Sequence, residues 1–167
     1  MHVVKSAADL PKAAAYGEVQ QQLAALFAGE RHGMANAANM SALLYESLPQ
    51  LNWAGFYLLQ DGELVLGPFQ GKVACVRIAL GRGVCGVAAE RRETLIVADV
   101  HAFPGHIACD AASRSEIVVP MIKDGRLLGV LDIDSPQLAR FDQEDGTGLN
   151  AAVALLVRAS DWDRFVD

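Results

Sequence analysis

Residues 116–134, which read EIVVPMIKDGRLLGVLDID, decide the fold of this chain. Two apolar runs, over 116–122 and 127–133, are joined at Asp124-Gly125, a dipeptide that favours a tight turn between antiparallel strands. Alternation along the second run places Asp132 and Asp134 on the same face of its strand. The stretch therefore predicts a β-hairpin with carboxylates near its open end.

The rest of the chain is predicted to form helices and short strands around this hairpin. Apolar residues at three- and four-residue steps indicate two helices before it and one after it, and Asp61-Gly62 indicates an earlier hairpin. The predicted helices cover 15–27, 34–48 and 142–162, with a short one ending at residue 92, and the further strands cover 52–59, 64–66, 74–80 and 94–97. Residues 99–115 form a long loop, which in a compact domain is usually functional or disordered. The order predicts an α+β fold, with a largely antiparallel central sheet and the N- and C-terminal helices packed on one face.

Length and composition bound the class of protein. The 167 residues, 52% of them hydrophobic, suit one domain: N-terminal helices in 1–50, the sheet and active-site loops in 51–140, and a C-terminal helix in 141–167. The longest apolar run, 151–157, is too short to span a membrane. The net charge of −6 argues against a nucleic-acid partner. The N-terminus lacks the apolar core of a signal peptide, so we expect a cytoplasmic location and reduced cysteines.

The position of Glu116 relative to the two aspartates depends on the hairpin register. A strict two-residue turn at Asp124-Gly125 places Glu116 opposite Ile133, on the other face of the sheet. One extra residue in the loop places Glu116 opposite Asp134 instead. We favour this bulged register because it gathers three acids. The alternative is a set of solvated carboxylates at strand ends.

Three acids on one face can hold a cationic ammonium group, and their repulsion can keep one of them protonated as a general acid. Trp53 and Tyr57, on one face of the first strand, can wall an apolar pocket beside them, although ordinary core aromatics would show the same pattern. These residue types together favour a pocket for a ligand that carries an ammonium group.

The three cysteines differ in their context. Cys109 lies in the long polar loop, where His106 and Arg114 can supply the electropositive neighbour that a reactive thiol needs. Cys75 lies in a strand-like run and Cys85 follows a glycine-rich turn, so each alone is consistent with a small buried hydrophobe. Their wide spacing differs from the paired ligands of zinc sites, and we expect no metal.

The glycine-rich segment 81–86, GRGVCG, fits the G-x-G-x-x-G pattern of dinucleotide-binding folds. No alternating βαβα order follows it, however, and the helix after it is short. We interpret it as a turn that brings a helix close to the sheet, and we expect no cofactor.

Several motifs in one order closely resemble the free methionine-(R)-sulfoxide reductases, enzymes built on a GAF-type domain. They are NWAGFY at 52–57, LGPFQGK at 66–72, GVCG at 83–86, DVH at 99–101, PGHIACD at 104–110, SRSEIVVP at 113–120 and GVLDIDSP at 129–136. The resemblance extends from the second helix to the last one. It implies a GAF-like fold for the whole chain, 1–167.

The resemblance implies a cytosolic oxidoreductase that reduces free methionine-(R)-sulfoxide and so counters oxidative stress. It implies that Cys109 is the nucleophile and Cys75 the resolving thiol, with the role of Cys85 left open. It further assigns substrate binding and acid catalysis to Glu116, Asp132 and Asp134, and an aromatic pocket to Trp53 and Tyr57.

The expected reaction passes through a cysteine sulfenic acid and an intramolecular disulfide, which a thioredoxin-type reductant resets. GAF relatives often dimerise through helices, so a homodimer is compatible with the resemblance. The alternative function is a non-catalytic GAF sensory module that binds a small ligand.

Overall fold

A computed structural model describes residues 3–4, 7, 9–107 and 110–167 of the chain. In these residues a six-stranded sheet has the order β3-β2-β1-β6-β5-β4, and every neighbouring pair is antiparallel. The strands are β1 (Trp53–Gln60), β2 (Glu63–Gly71), β3 (Arg77–Ala79), β4 (Leu95–Val97), β5 (Ser115–Lys123) and β6 (Arg126–Ser135). The helices are α1 (Lys12–Phe27), α2 (Gly33–Ser47), α3 (Gly83–Arg91) and α4 (Gln143–Ala159), with a 3₁₀ turn at Val100–Ala102. The predicted α+β class is confirmed.

The two faces of the sheet bury different elements. Helices α1, α2 and α4 cover one face, where Phe56, Ile117 and Ile133 join a large apolar core. Helix α3 packs against the other face, beside Tyr57 and Val118. Strand alternation separates these two sets of side chains. The prediction that the N- and C-terminal helices share one face is confirmed. None of the described helices is long and apolar enough to cross a membrane.

The β5–β6 hairpin has the register that we predicted because it groups the three acids on one face. Glu116 pairs with Asp134, while Lys123 pairs with Arg126 across a strict two-residue turn. The prediction that the extra residue lies in the turn was wrong: Met121 pairs with Gly129 but Ile122 pairs with Leu127, so the extra residue lies within β6. Gly129 has a φ of +154°, and a Cβ there would lie 2.1 Å from the Tyr57 carbonyl oxygen of β1. The close approach of β1 therefore fixes the bulge next to a glycine.

The predicted strand over 74–80 is shorter in the structure. Only Arg77–Ala79 forms β3, and residues 72–76 run as an irregular segment that we call the strap. The side chains of Trp53 and Tyr57 donate hydrogen bonds to the carbonyl groups of Lys72 and Cys75. These side-chain bonds satisfy two strap carbonyls that would otherwise need another partner. The strap therefore crosses the α3 side of β1 and leads back to the sheet at β3.

The ends of the last helix also differ from the prediction. Helix α4 begins at Gln143, after an Asp142 side chain that accepts hydrogen bonds from two backbone N–H groups, with Asp145 completing a capping box. It ends at Ala159 rather than at residue 162, and Trp162 packs separately into the core. The long predicted loop over 99–115 contains the short 3₁₀ turn.

Candidate active site

A cleft opens on the α3 side of the sheet. Strands β1, β5 and β6 form its floor, the N-terminus of α3 and the strap form two walls, and the loop that includes His106 and Asp110 forms a third. The cleft is lined by both predicted aromatic residues, Trp53 and Tyr57, by Cys85, and by all three predicted acids, Glu116, Asp132 and Asp134. Cys109 lies outside the described residues. The register described above thus brings six of the eight predicted site residues to one cleft.

Two of the three carboxylates are buried and Asp134 is half-buried. Glu116 and Asp132 are only 6% and 7% exposed, and the Asp132 Oδ1 atom has no hydrogen-bond partner among the described residues. No lysine or arginine in the described part of the chain forms an ion pair with the cluster. The His106 Nε2 atom lies 3.9 Å from Glu116 Oε2. A buried carboxylate without a partner is unfavourable. The cluster therefore attracts a cation or retains protons.

Burial and mutual repulsion both raise the pKa values of the acids. Burial raises the pKa of Asp132 to about 6. Burial, followed by the charge of Asp132, raises the pKa of Glu116 and of Asp134 well above the ordinary carboxyl value. The pKa of His106 is lowered by burial and by the neighbouring His101, which favours a neutral imidazole at pH 7. Burial and repulsion thus keep these acids protonated to a higher pH than an exposed carboxyl group.

Cys85 is a buried free thiol next to these acids. Its Sγ lies 3.8 Å from Glu116 Oε1, and burial together with the carboxylate charges raises the thiol pKa well above its usual value. A protonated thiol is a poor nucleophile. Ligand-type atoms of Cys85, Glu116 and Asp132 lie within 4.8 Å of one another, so this part of the cleft would attract a cation, whether a metal ion or an ammonium group.

The aromatic wall depends on a glycine in β1. Trp53 stacks on Phe69 and Tyr57, with ring centroids 5.2 Å and 5.9 Å apart. A Cβ at Gly55 would lie 2.3 Å from the Phe69 Cβ and 2.8 Å from the Trp53 ring. Only glycine therefore leaves room for the rings to lie across the strand. The polar atoms of Trp53 and Tyr57 point to the strap, so the rings present apolar faces beside the acids.

The strap carries Cys75, which is half-buried and disulfide-bonded, so the expectation of reduced cysteines was wrong for this residue. On the opposite wall Asp110 is held in place by Asn52, whose Nδ2 donates to its Oδ2 at 3.2 Å, and by its own acceptance of the Ala112 N–H. Lys72 of the strap lies 3.7 Å from the same carboxylate. The ion pair between Lys72 and Asp110 therefore links the two walls of the cleft.

The sequence analysis missed the residues at the N-terminus of α3. Arg82 precedes the helix without a side-chain cap, and Arg82, Gly83 and Val84 all line the cleft. The prediction that residues 81–86 bring a helix against the sheet is confirmed, since a Cβ at Gly86 would lie 2.3 Å from the Ala79 carbonyl oxygen. The glycine-rich pattern was the sequence signal nearest to the missed residues, since it includes Gly83, which lines the cleft.

Comparison with known proteins places this fold and cleft in a class. A family model of the GAF domain matches residues 35–159. The chain is 54% identical over 153 residues to the free methionine-R-sulfoxide reductase of Escherichia coli (strain K12), a match that covers 90% of this chain and 93% of that one. It is 48% identical over 151 residues to the free methionine-R-sulfoxide reductase of Saccharomyces cerevisiae, with 83% and 84% covered.

A solved structure agrees with these sequence matches. The free methionine-R-sulfoxide reductase from Neisseria meningitidis, in complex with its substrate, has a TM-score of 0.90 to this chain and is 47% identical, with 95% of each chain covered. The fold is therefore that of a GAF domain protein. Within that class, the chain belongs to the free methionine-R-sulfoxide reductase family, which confirms the resemblance drawn from the motifs.

Proposed function

We propose that this chain reduces free methionine-(R)-sulfoxide to methionine by a thiol mechanism. The observation that carries the proposal is the cluster of buried Glu116 and Asp132 with half-buried Asp134, which no lysine or arginine of the described residues neutralises, beside an aromatic wall and a disulfide-bonded Cys75. A cluster of this kind suits an α-ammonium group, and the aromatic wall suits the thioether side chain. The names of the related proteins support the same substrate.

The acids account for a preference for the free amino acid. In this proposal the Asp132 Oδ1 atom, for which the described residues offer no partner, accepts a hydrogen bond from the substrate ammonium. A methionine sulfoxide residue inside a peptide has no charged nitrogen to offer. Its binding would leave the buried carboxylates unpaired, which is how polar sites reject analogues that lack one group.

The N-terminus of α3 suits the other charged end of the substrate. Its first backbone N–H groups have no side-chain cap, and Arg82 adds a positive charge at the cleft. Helix N-termini favour carboxylates because of these free donors and the helix dipole. We therefore place the substrate carboxylate there. Arg82→Gln is expected to raise KM with little change in kcat, since this contact exists before and during the reaction.

The proposed chemistry begins at Cys109. Its thiolate attacks the sulfoxide sulfur and forms an S–S bond, while the oxygen takes a proton from the acid cluster. The hydroxyl group then moves from the methionine sulfur to the Cys109 sulfur as the S–S bond breaks, so methionine leaves with that electron pair and Cys109 becomes a sulfenic acid. Glu116 is the proposed proton donor, because its raised pKa favours the protonated form and its carboxyl group lines the cleft beside the other two acids. The Cys75 thiol then displaces water and forms the disulfide.

Cys85 has a different place in this scheme. Its buried, protonated thiol faces Glu116, which suits a hydrogen-bond neighbour of the acid better than a first nucleophile. The part of Cys85 as an alternative resolving thiol stays a hypothesis. A thioredoxin-type protein is the proposed reductant for the disulfide.

Turnover of defined sulfoxides tests the function. With dithiothreitol as reductant, the enzyme should release methionine from free methionine-(R)-sulfoxide, and chromatography of the free amino acid measures it. The S epimer and N-acetylated methionine-(R)-sulfoxide are the matched controls. The N-acetyl compound has an uncharged nitrogen, so its kcat/KM should be lower by the equivalent of about 1.5–3 kcal/mol, which is the usual contribution of one charged hydrogen bond. Binding of the sulfoxide without any methionine release would instead identify a sensory module.

A further inference from the structure

We propose that the strap is the docking surface for the protein that reduces the enzyme, a thioredoxin-type dithiol protein that must cover Val73 and Val76 to reach Cys75. The inference rests on the proposed function in one respect, since it assumes that the disulfide of Cys75 must be reduced in every cycle. It adds which residues of this chain the reductant contacts.

Exposure of apolar side chains around Cys75 is the first observation. Val73 is 87% exposed and Val76 is 62% exposed, and Val73 is the most exposed large apolar side chain among the described residues. Single exposed hydrophobics are common on protein surfaces. Here, however, the two valines flank a disulfide-bonded cysteine within four residues, and Ile107, 36% exposed, lines the same cleft as Val73.

The position of the strap is the second observation. It leads into β3, which is an edge strand of the sheet, so no further strand stands beside it. The strap is anchored from below by Trp53 and Tyr57, which hold the carbonyl groups of Lys72 and Cys75. A partner can therefore approach from the open side without displacing part of the sheet.

The chemistry determines what the partner must be. A thiolate of the partner attacks the Cys75 sulfur, which forms a mixed disulfide and releases the other cysteine of the pair as a thiolate. The partner's second thiolate then attacks the partner sulfur of the mixed disulfide. This step releases Cys75 as a thiolate, and the partner leaves with an internal disulfide. Two electrons and two protons pass from the dithiol to the enzyme. Since the attacking sulfur must come within bonding distance of Cys75, the protein that bears it must cover both neighbouring valines.

Reduction of the preformed disulfide, without sulfoxide present, tests the surface. Val73→Glu and Val76→Glu place a charge where the apolar contact is proposed, and Leu138→Glu is a matched control at another site that is 52% exposed. Stopped-flow mixing of the oxidised enzyme with reduced thioredoxin gives one second-order rate constant, and mixing with dithiothreitol gives another. Dithiothreitol is too small to need the surface.

The expected result is a loss of about tenfold or more in the thioredoxin rate constant for both strap variants, because charge at an interface core removes well over 1 kcal/mol. The dithiothreitol rate constant of both variants, and both rate constants of Leu138→Glu, should match the unsubstituted enzyme. Wild-type thioredoxin rates in the strap variants would overturn the proposal. Equal slowing with both reductants would also overturn it, since it would mean that the strap had changed shape. Failure of methionine release in the sulfoxide assay would count against the proposed function alone.

Discussion

Replacement of Asp132 by asparagine is expected to stabilise the ligand-free protein at neutral pH while it weakens substrate binding. Burial raises the pKa of Asp132 from 3.8 to about 6 in the folded state. As the pH rises, the unfolded chain therefore releases this proton at a lower pH than the folded protein does. The free energy of unfolding consequently decreases between about pH 4 and pH 6. Each pH unit corresponds to about 1.36 kcal/mol, so above pH 6 the ionised Asp132 costs the fold about 3 kcal/mol.

Asparagine has nearly the same shape and no charge, and its amide can donate to the adjacent Glu116. We expect Asp132→Asn to raise the free energy of unfolding at pH 7.5 by about 1–3 kcal/mol, the lower values reflecting the burial of the amide itself. For a chain of this size that is about 3–10 °C in the melting temperature. At pH 4 most of the gain should vanish, because the wild-type side chain is then protonated in the fold.

Urea unfolding at both pH values, on ligand-free protein of one redox state, measures the effect. Asp145→Asn is the matched control: Asp145 is fully buried but accepts hydrogen bonds from Tyr16 and Lys12 at 2.8 Å and 2.6 Å and from Arg140 at 3.2 Å. Its loss should destabilise the protein at pH 7.5 by about 3–5 kcal/mol. If Asp132→Asn were less stable than the unsubstituted protein at pH 7.5, or equally stabilised at both pH values, the carboxylate would not be unpaired and the reasoning would fail.

Three further predictions concern the strap, the cysteines and the bulge. Tyr57→Phe keeps the ring but removes the hydrogen bond to the Cys75 carbonyl, a loss of about 1 kcal/mol. Disulfide formation should therefore slow about fivefold, while methionine release in a single turnover keeps its rate. Equal slowing of both steps would contradict a role of Tyr57 in positioning Cys75. Cys75→Ser should release about one methionine per enzyme and then stall with thioredoxin, whereas Cys109→Ser should release none; a stall in Cys85→Ser alone would assign resolution to Cys85. Gly129→Ala should lower the free energy of unfolding by at least about 2 kcal/mol in urea, because its Cβ would meet the Tyr57 carbonyl; a smaller effect would show that β1 can move away.

Part of the β5–β6 hairpin could be predicted from the sequence. The turn residues Asp124 and Gly125 and the alternation along both strands are local signals, so the strands and the shared face of Asp132 and Asp134 could be predicted. The position of the extra residue could not. Leu127 and Leu128 are equally apolar, and the choice between a longer turn and a bulge is made by β1, which approaches Gly129 from a distant part of the chain.

The strap and the position of the α3 N-terminus could not be predicted from the local sequence. Val73, Ala74, Cys75 and Val76 have the composition of a buried strand, and nothing within the run marks it as irregular. The indole and phenol groups that hold it belong to β1, about twenty residues earlier in the chain. Likewise the glycines of residues 81–86 predicted a close approach of a helix, but the opening of that helix onto the acids depends on how α3 packs across β5 and β6.

The same register serves the core and the cleft. Ile117 and Ile133 enter the apolar core under α1, α2 and α4 because Glu116, Asp132 and Asp134 point to the other face. A slip of one residue between β5 and β6 would turn carboxylates toward that core and expose isoleucines to the cleft. The apolar face therefore holds the acids together against their own repulsion, since separating them by a change of register would also break the core. This coupling explains how a fold can keep three neighbouring carboxylates together, one of them with an oxygen that the described residues leave unpartnered, for a charged substrate.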